Sequence, residues 1–252
     1  YRAMQSVAYA NEYLRQTSAD KLAARGVEAD VQERIMMYRD EARFLRAFYY
    51  WILVDCFGSV PFGTEADAVG SVLPQAPRAS IYNFIVSELE DLSGDNGKLP
   101  VDPEYPRVGK GAALGLLSRV YLNAEVYTGV PQYDKALALA ETVIKESPYA
   151  LSADYSDNFK VDLGPSNTAV IFAIPYDNTY TTGEHVFSMG MKWYPPNEGR
   201  DHFGWTFGTW GGSCGNPQFI KSYQPGDLRK EKTWVHGQMM KKNNPSEIAW
   251  TA

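Results

Sequence analysis

Residues 40–62 read DEARFLRAFYYWILVDCFGSVPF, and this stretch decides the fold. It predicts one long helix with charged and small residues on one side and aromatics on the other. The helix stops at Phe57-Gly58, a common stop signal, and the chain runs on into Val60-Pro61. Nothing in the stretch can act as a catalyst. Cys56 reads as a buried thiol in an apolar helix end.

Outward from this stretch, the same spacing returns. Counting from Ala42, Leu45 stands at plus three, Ala47 at plus five, Tyr50 at plus eight and Gly58 at plus sixteen. Counting from Ala113, Leu116, Ser118, Tyr121 and Gly129 occupy the same offsets. A second pair of segments matches as well. Tyr82 is followed by Ile85, Val86, Leu89 and Leu92, and Tyr133 by Ala136, Leu137, Ala140 and Val143. Small residues at fixed offsets let helices approach closely while aromatics fill the space between pairs. That is the packing logic of stacked, tetratricopeptide-like helical hairpins.

The periodicity predicts helices at about 1–17, 30–56, 80–93, 109–127 and 132–146. Ser80 is a candidate N-cap, Gly58, Gly129 and Pro148 are stop signals, and Asp134 puts an acid in a first turn. After residue 148 the chain turns rich in Gly, Pro, Asn and aromatics. There Ala169-Val170-Ile171-Phe172-Ala173-Ile174 reads as a buried strand or extended segment, and 217–224 as a short helix with Pro217 in its first turn. The fold class is all-α, with a helical scaffold over 1–148 and an irregular, partly extended portion over 149–252 packed on it as one domain. The chain opens at Tyr1 already in helical register, through Met4, Val7, Ala8, Asn11 and Leu14. It reads as an internal fragment of a longer protein, truncated at both ends.

Composition narrows the function. The 252 residues carry 24 basic and 30 acidic side chains, a net charge of −6, with no strong cluster of Lys and Arg. That argues against a nucleic-acid or anionic-lipid surface. No apolar run approaches the length of a membrane span. The two cysteines, Cys56 and Cys214, make no disulfide framework, and their pairing stays open. Aromatic residues reach 13% of the chain.

The run EARFLRAFYYWILVDCFGSVPF closely resembles the hallmark helix and turn of the SusD/RagB family of Bacteroidetes outer-membrane lipoproteins. GKGAALGLLSRVYLNAEVYTG followed by YDKALALAETVI resembles the next tetratricopeptide-like portion of that family. NPQFIKSYQPGDLRKEKTW is similar to its Asp-x-Arg region, here Asp227 and Arg229. The resemblance implies a helical scaffold with a loop-rich insertion, and capture rather than catalysis. It implies an oligosaccharide or polysaccharide ligand, and a TonB-dependent, SusC-like outer-membrane transporter as partner. It also implies an N-terminal lipid anchor at the cell surface, whose cysteine and signal this sequence does not contain. A smaller branch of the family handles peptides.

Enzyme signatures find little support. His185, His202 and His236 are the three histidines, and no Gly-x-Ser-x-Gly elbow, phosphate loop or His-Glu-x-x-His motif occurs. Glu184-His185 and Asp201-His202 are adjacent residues whose side chains usually diverge. Residues 154–158, DYSDN, look like a calcium loop but lack the glycine and terminal glutamate spacing of an EF-hand. No metal and no cofactor is expected.

Sugar capture asks for different parts. A pyranose has an apolar C–H face, held by an exposed aromatic plane, and a hydroxyl rim, held by amides, carboxylates and guanidinium groups. Residues 193–216 offer that inventory densely, including Glu198, His202, Phe203, Phe207 and Asn216. Trp193, Tyr194, Trp205 and Trp210 are the candidate ring contacts, and Asn197, Arg200 and Asp201 the candidate polar partners. Taken singly, each Trp reads more readily as packing the loop onto the scaffold than as a platform. Tyr176, Asn178 and Tyr180 form a second candidate lip, but read more readily as turn residues. Phe44, Phe48, Tyr49, Tyr50 and Trp51 read as core, and Arg43 and Arg46 as partners of carboxylates such as Asp40 or of loop carbonyls. The rival readings are a peptide-binding relative, a helical-repeat scaffold with no ligand of its own, and, last, a glycoside hydrolase.

Overall fold

The computed structural model describes residues 1–160, 163–175, 179, 196–212, 215–235 and 237–251. They fall into two compact units: Tyr1–Ser152 with Asp162–Ala173, and Ala153–Val161 with Ile174–Ala252.

The first unit is a stack of helices, as the repeat predicts. Its elements are α1 (Arg2–Gln16), α2 (Ala19–Ala24), α3 (Ala29–Phe57), α4 (Arg78–Ser93), α5 (Lys110–Leu122), α6 (Ala124–Thr128) and α7 (Tyr133–Glu146). Helices pack in succession, α1 on α3, α3 on α4, α4 on α5 and α5 on α7. Each buries one stripe: Phe44, Ala47, Tyr50 and Val54 on α3, Ile81, Ile85, Leu89 and Leu92 on α4, Ala113, Leu117, Val120 and Tyr121 on α5. The i, i+3, i+4 spacing of these residues is what puts them on one side of each helix. Full burial of one such large side chain contributes about 1.5–3 kcal/mol. The small repeat positions act as expected. Ala47 is fully buried, and its counterpart Ser118 approaches α7 closely enough to donate a 2.8 Å hydrogen bond to the Ala136 carbonyl.

Punctuation follows the sequence at Gly58 and Gly129, whose φ angles of 73° and 81° close α3 and α6. A left-handed angle there favours the residue without a Cβ. After Gly58, β1 (Val60–Pro61) pairs antiparallel with β2 (Gln75–Ala76), closing the loop between α3 and α4. The buried end of that loop is held by Tyr50. Its hydroxyl donates to the Gly63 carbonyl at 2.7 Å and accepts from the Gly63 amide at 2.9 Å.

A charged network ties the stack together. Arg46, almost wholly buried, bonds Asn11 at 2.9 Å and Glu88 at 2.9 Å, and pairs with Glu65. Arg43 pairs with Asp91 at 2.8 Å, Glu88 at 3.0 Å and Asp40 at 3.3 Å. Arg107 pairs with Glu41 and lies 4.4 Å from the Tyr38 ring centroid, fastening the segment after α4 onto α3. Burial opposes ionisation of Glu65, but the hydrogen bond and charge of Arg46 outweigh it and hold this carboxyl below its ordinary value.

Four expectations are corrected. Of the two readings of the apolar run 169–174 the strand does not form: Asn167 turns the chain by accepting from the Ala169 amide at 2.8 Å, and among the described residues no strand pairs with the run. Ile171 and Phe172 still pack on the core, Phe172 meeting Phe44 edge-on at 5.2 Å, while Ile174 is exposed. Ser80 is not a cap, because α4 begins earlier, with Pro77 at its N-cap. The fourth helix breaks at Asn123 into α5 and α6. Cys56 is exposed, because the last turn of α3 runs past the packed core and carries Asp55, Cys56 and Phe57 into solvent.

The second unit contains a 3₁₀ turn (Tyr155–Phe159), α8 (Pro196–Phe203), α9 (Pro217–Lys221), α10 (Leu228–Thr233) and an antiparallel hairpin of β3 (Gln238–Lys241) and β4 (Asn244–Thr251). The sequence reading anticipated α9 but not α8, α10 or the hairpin.

Candidate functional site

The site is built in the second unit from α8 and the glycine-rich segment after it. Asn197, Arg200 and Asp201 stand at i, i+3 and i+4, so they share one face of α8. Asn197 is exposed. Arg200 and Asp201 are half-buried and bonded to each other, Nε to Oδ1 at 3.0 Å. Together they offer an amide, a guanidinium and a carboxylate, donors and acceptors suited to hydroxyl groups.

The hairpin fixes the position of α8. The Lys242 amide donates to the Asp201 carbonyl at 2.9 Å, and His202 Nδ1 lies 2.6 Å from the Met240 carbonyl oxygen. This engagement places His202 in the support of α8. Gly204, with φ of 70°, ends the helix against Lys242: a Cβ there would sit 2.5 Å from the Lys242 side chain.

Beyond Gly204 the aromatics form a ladder. Phe203 and Trp205 stack with centroids 4.6 Å apart and planes 15° from parallel, and Trp205 and Phe207 follow at 5.5 Å and 11°. Trp205 is half-buried, with ring contacts to both neighbours. Trp210 differs. It is 60% exposed, beside a buried Thr209, and is followed by Gly211 and Gly212 at φ of 66° and 121°. Those angles favour glycine, so the turn that presents this indole depends on them. Trp193 and Tyr194 lie outside the described residues, as do Glu184, His185, His236, Cys214 and the 176–178 and 180 positions.

Other polar residues of the region are used locally. Asn216 caps α9, accepting from the Gln218 amide at 2.9 Å. Asp227 caps α10, accepting from the Arg229 amide at 3.0 Å, while the Arg229 guanidinium forks onto the same carboxylate and holds it below its ordinary pKa. The Asp-x-Arg segment is therefore a self-contained clasp. Asp154 of the calcium-like loop accepts from the Ser156 amide at 2.8 Å and pairs with Lys232, which ties the 3₁₀ turn to α10. Among the described residues no group of three or more His, Cys, Asp or Glu could hold a metal ion. None of the helices among them is long and apolar enough to cross a membrane.

The sequence reading missed the ladder as a unit, because stacking between residues two apart is a tertiary outcome. It also missed a second aromatic group, in which Trp234 Nε1 donates to the Tyr223 hydroxyl at 3.2 Å and Phe219 packs on both.

Comparison with known proteins gives a consistent family. Residues 2–122 match the SusD-like model described as starch-binding associating with outer membrane. The chain is 36% identical over 147 residues to the starch-binding protein SusD of Bacteroides thetaiotaomicron, covering 57% of this chain and 26% of that protein. A SusD-like protein of Formosa agariphila is 24% identical over 153 residues, 60% of this chain and 28% of that one. The matches thus span about a quarter of these curated relatives. Among solved structures, a SusD superfamily protein from Parabacteroides distasonis superposes with a TM-score of 0.69 at 23% identity, over 90% of this chain and 46% of that one. A structure described with xylogluco-oligosaccharide gives 0.73 at 20% identity, over 94% and 46%. At these identities the two structures speak for the fold. With the repeat, the hallmark helix and the matched segments in agreement, residues 2–122 of this chain form a SusD-like segment.

Proposed function

We propose that the chain is the glycan-capturing part of a non-catalytic, lipid-anchored protein at the outer-membrane surface, which hands its ligand to a TonB-dependent, SusC-like transporter. In this reading residues 149–252 supply the binding portion. Trp210 stacks on the apolar face of a sugar ring, with Trp193, Tyr194 and the Trp205 ladder extending the aromatic surface. Asn197, Arg200 and Asp201 bond the hydroxyl rim.

One observation carries the reading: an indole held 60% exposed by a glycine turn in the unit that also carries a polar helix face. An exposed ring of that size costs solvation unless a partner covers it. The names of relatives agree with it, SusD being a starch-binding protein and one structural neighbour being described with a xylogluco-oligosaccharide.

Calorimetry and affinity electrophoresis against starch, xyloglucan and a peptide library test it. Trp210→Ala should weaken glycan binding about tenfold, the equivalent of about 1.4 kcal/mol. Arg200→Ala should alter the preference among sugars. Saturable binding of peptides with none of glycans would overturn the ligand class, and release of reducing ends by the purified protein would overturn the non-catalytic role.

A further inference from the structure

The first unit contains a cleft that the proposed site does not use. It lies among the segment after α4, the residues after α7 and the turn at 165–168, and encloses about 120 Å³. Asp102, Tyr105, Arg107, Tyr149, Asn167 and Thr168 contribute its polar and aromatic lining, with four prolines supplying apolar surface.

Its chemistry is selective. Arg107 is already matched by Glu41, so the guanidinium adds no uncompensated positive charge. Asp102 is an exposed carboxylate, which disfavours an anion. Tyr105 is 41% exposed and presents a ring at the rim. Tyr149 forms part of the wall, and its ring fits there because Gly111 has no Cβ; one would stand 2.3 Å from Tyr149 Cε2. The Tyr149 hydroxyl is buried without a protein partner. Leaving a buried hydroxyl unmet is destabilising, so buried polar atoms of this kind mark places where a partner is expected.

A carboxylate, hydroxyls, a partly exposed ring and proline C–H faces are suited to an uncharged polyol. The volume is well below the roughly 300–1,000 Å³ of pockets for drug-sized ligands. It suits one ring, with the remainder of an oligomer leaving toward solvent. We propose that this cleft is a second saccharide subsite, gripping a single uncharged pyranose unit on the helical scaffold. Asp102 and Thr168 accept from ring hydroxyls, Tyr105 covers one C–H face, and a tilt of the Tyr149 ring gives its hydroxyl a partner. The inference takes its ligand class from the proposed function but rests on different residues.

Hydrogen exchange with and without saturating maltoheptaose or a xyloglucan heptasaccharide separates the two sites. At least one sugar should protect the 102–107 and 165–171 amides, and that protection should survive Trp210→Ala. Tyr105→Ala and Asp102→Ala should each weaken it about tenfold. Tyr149→Phe should also weaken it while leaving thermal stability equal or higher, because the unmet hydroxyl is gone; a merely structural tyrosine would not give that combination. Absence of protection at 102–107 and 165–171 with both sugars overturns the subsite, as does protection indifferent to all three variants. Absence of protection at 196–210 instead counts against the proposed function.

Discussion

Tyr50 and Gly63 close a reciprocal pair: one hydroxyl serves both backbone groups of the glycine, at 2.7 and 2.9 Å. The Gly63 carbonyl has a second donor in Asn11 Nδ2 at 3.1 Å, whereas among the described residues the Tyr50 hydroxyl is the amide's acceptor. Tyr50→Phe keeps the ring in the core and orphans that N–H. A loss of about 1–3 kcal/mol is expected in urea unfolding, with Asn11→Ala adding to it less than independently, since both act on one carbonyl.

Arg46→Met should be among the most damaging substitutions in the stack. It removes one of the two arginine partners of a largely buried Glu88, the other being Arg43, and takes the Arg46 donor from Asn11 and Glu65. Breaking a buried pair from one side costs about 3–5 kcal/mol. Arg46→Met combined with Glu88→Leu should recover much of it, and a double-mutant cycle measures how much.

Acid sensitivity has a named contributor. Arg46 holds the Glu65 carboxyl below the ordinary 4.5, against the opposing effect of burial. The folded state therefore binds fewer protons there than the unfolded chain. The stabilisation is present above 4.5 and fades as pH falls through the lower folded value. Glu65→Gln should be less stable than wild type at about pH 7, and the gap should narrow by about pH 3. Chemical denaturation at the two pH values checks this.

The small repeat position at Ser118 can be tested by size. Ser118→Ala loses one hydrogen bond to Ala136 and should cost about 0.5–1.5 kcal/mol. Ser118→Leu forces α5 and α7 apart and should cost about 1–3 kcal/mol. The ordering, Leu worse than Ala despite being more apolar, separates close approach from hydrophobicity.

Trp205→Ala and Trp210→Ala should part company in stability. Trp205 stacks on two rings, so its loss should destabilise the second unit by about 1–3 kcal/mol. Trp210→Ala should stay within about 0.5 kcal/mol of wild type, while carrying the binding defect expected of an exposed platform.

Local regularities explain what was legible beforehand. The offsets linking Ala47 with Ser118 and Tyr50 with Tyr121 are set by helix geometry, so they survive as a linear pattern, and Gly58 and Gly129 mark their own ends. The run 169–174 misled because apolar residues record burial, not pairing: Phe172 packs on Phe44 with no ladder at all. The β3–β4 hairpin went unread because its register shifts between Met239 and Lys241 break the alternation a strand shows. In the candidate site, Asn197, Arg200 and Asp201 could be picked by chemistry, but their common face needed a helix that Gly199 obscures. Trp205 and Trp210 are the same residue five positions apart; only the folded ring contacts distinguish them.

The contrast between those two indoles supplies an intrinsic optical reporter. Trp210, bathed in solvent, should emit toward the red and be quenched first by iodide, whereas the Trp205 emission should lie further to the blue and resist the quencher. A molecule settling on Trp210 should shift and shield this solvent-exposed emission, and Trp210→Ala should remove that part of the response against the background of the other five tryptophans, so occupancy of this surface is readable from native fluorescence without attaching a dye.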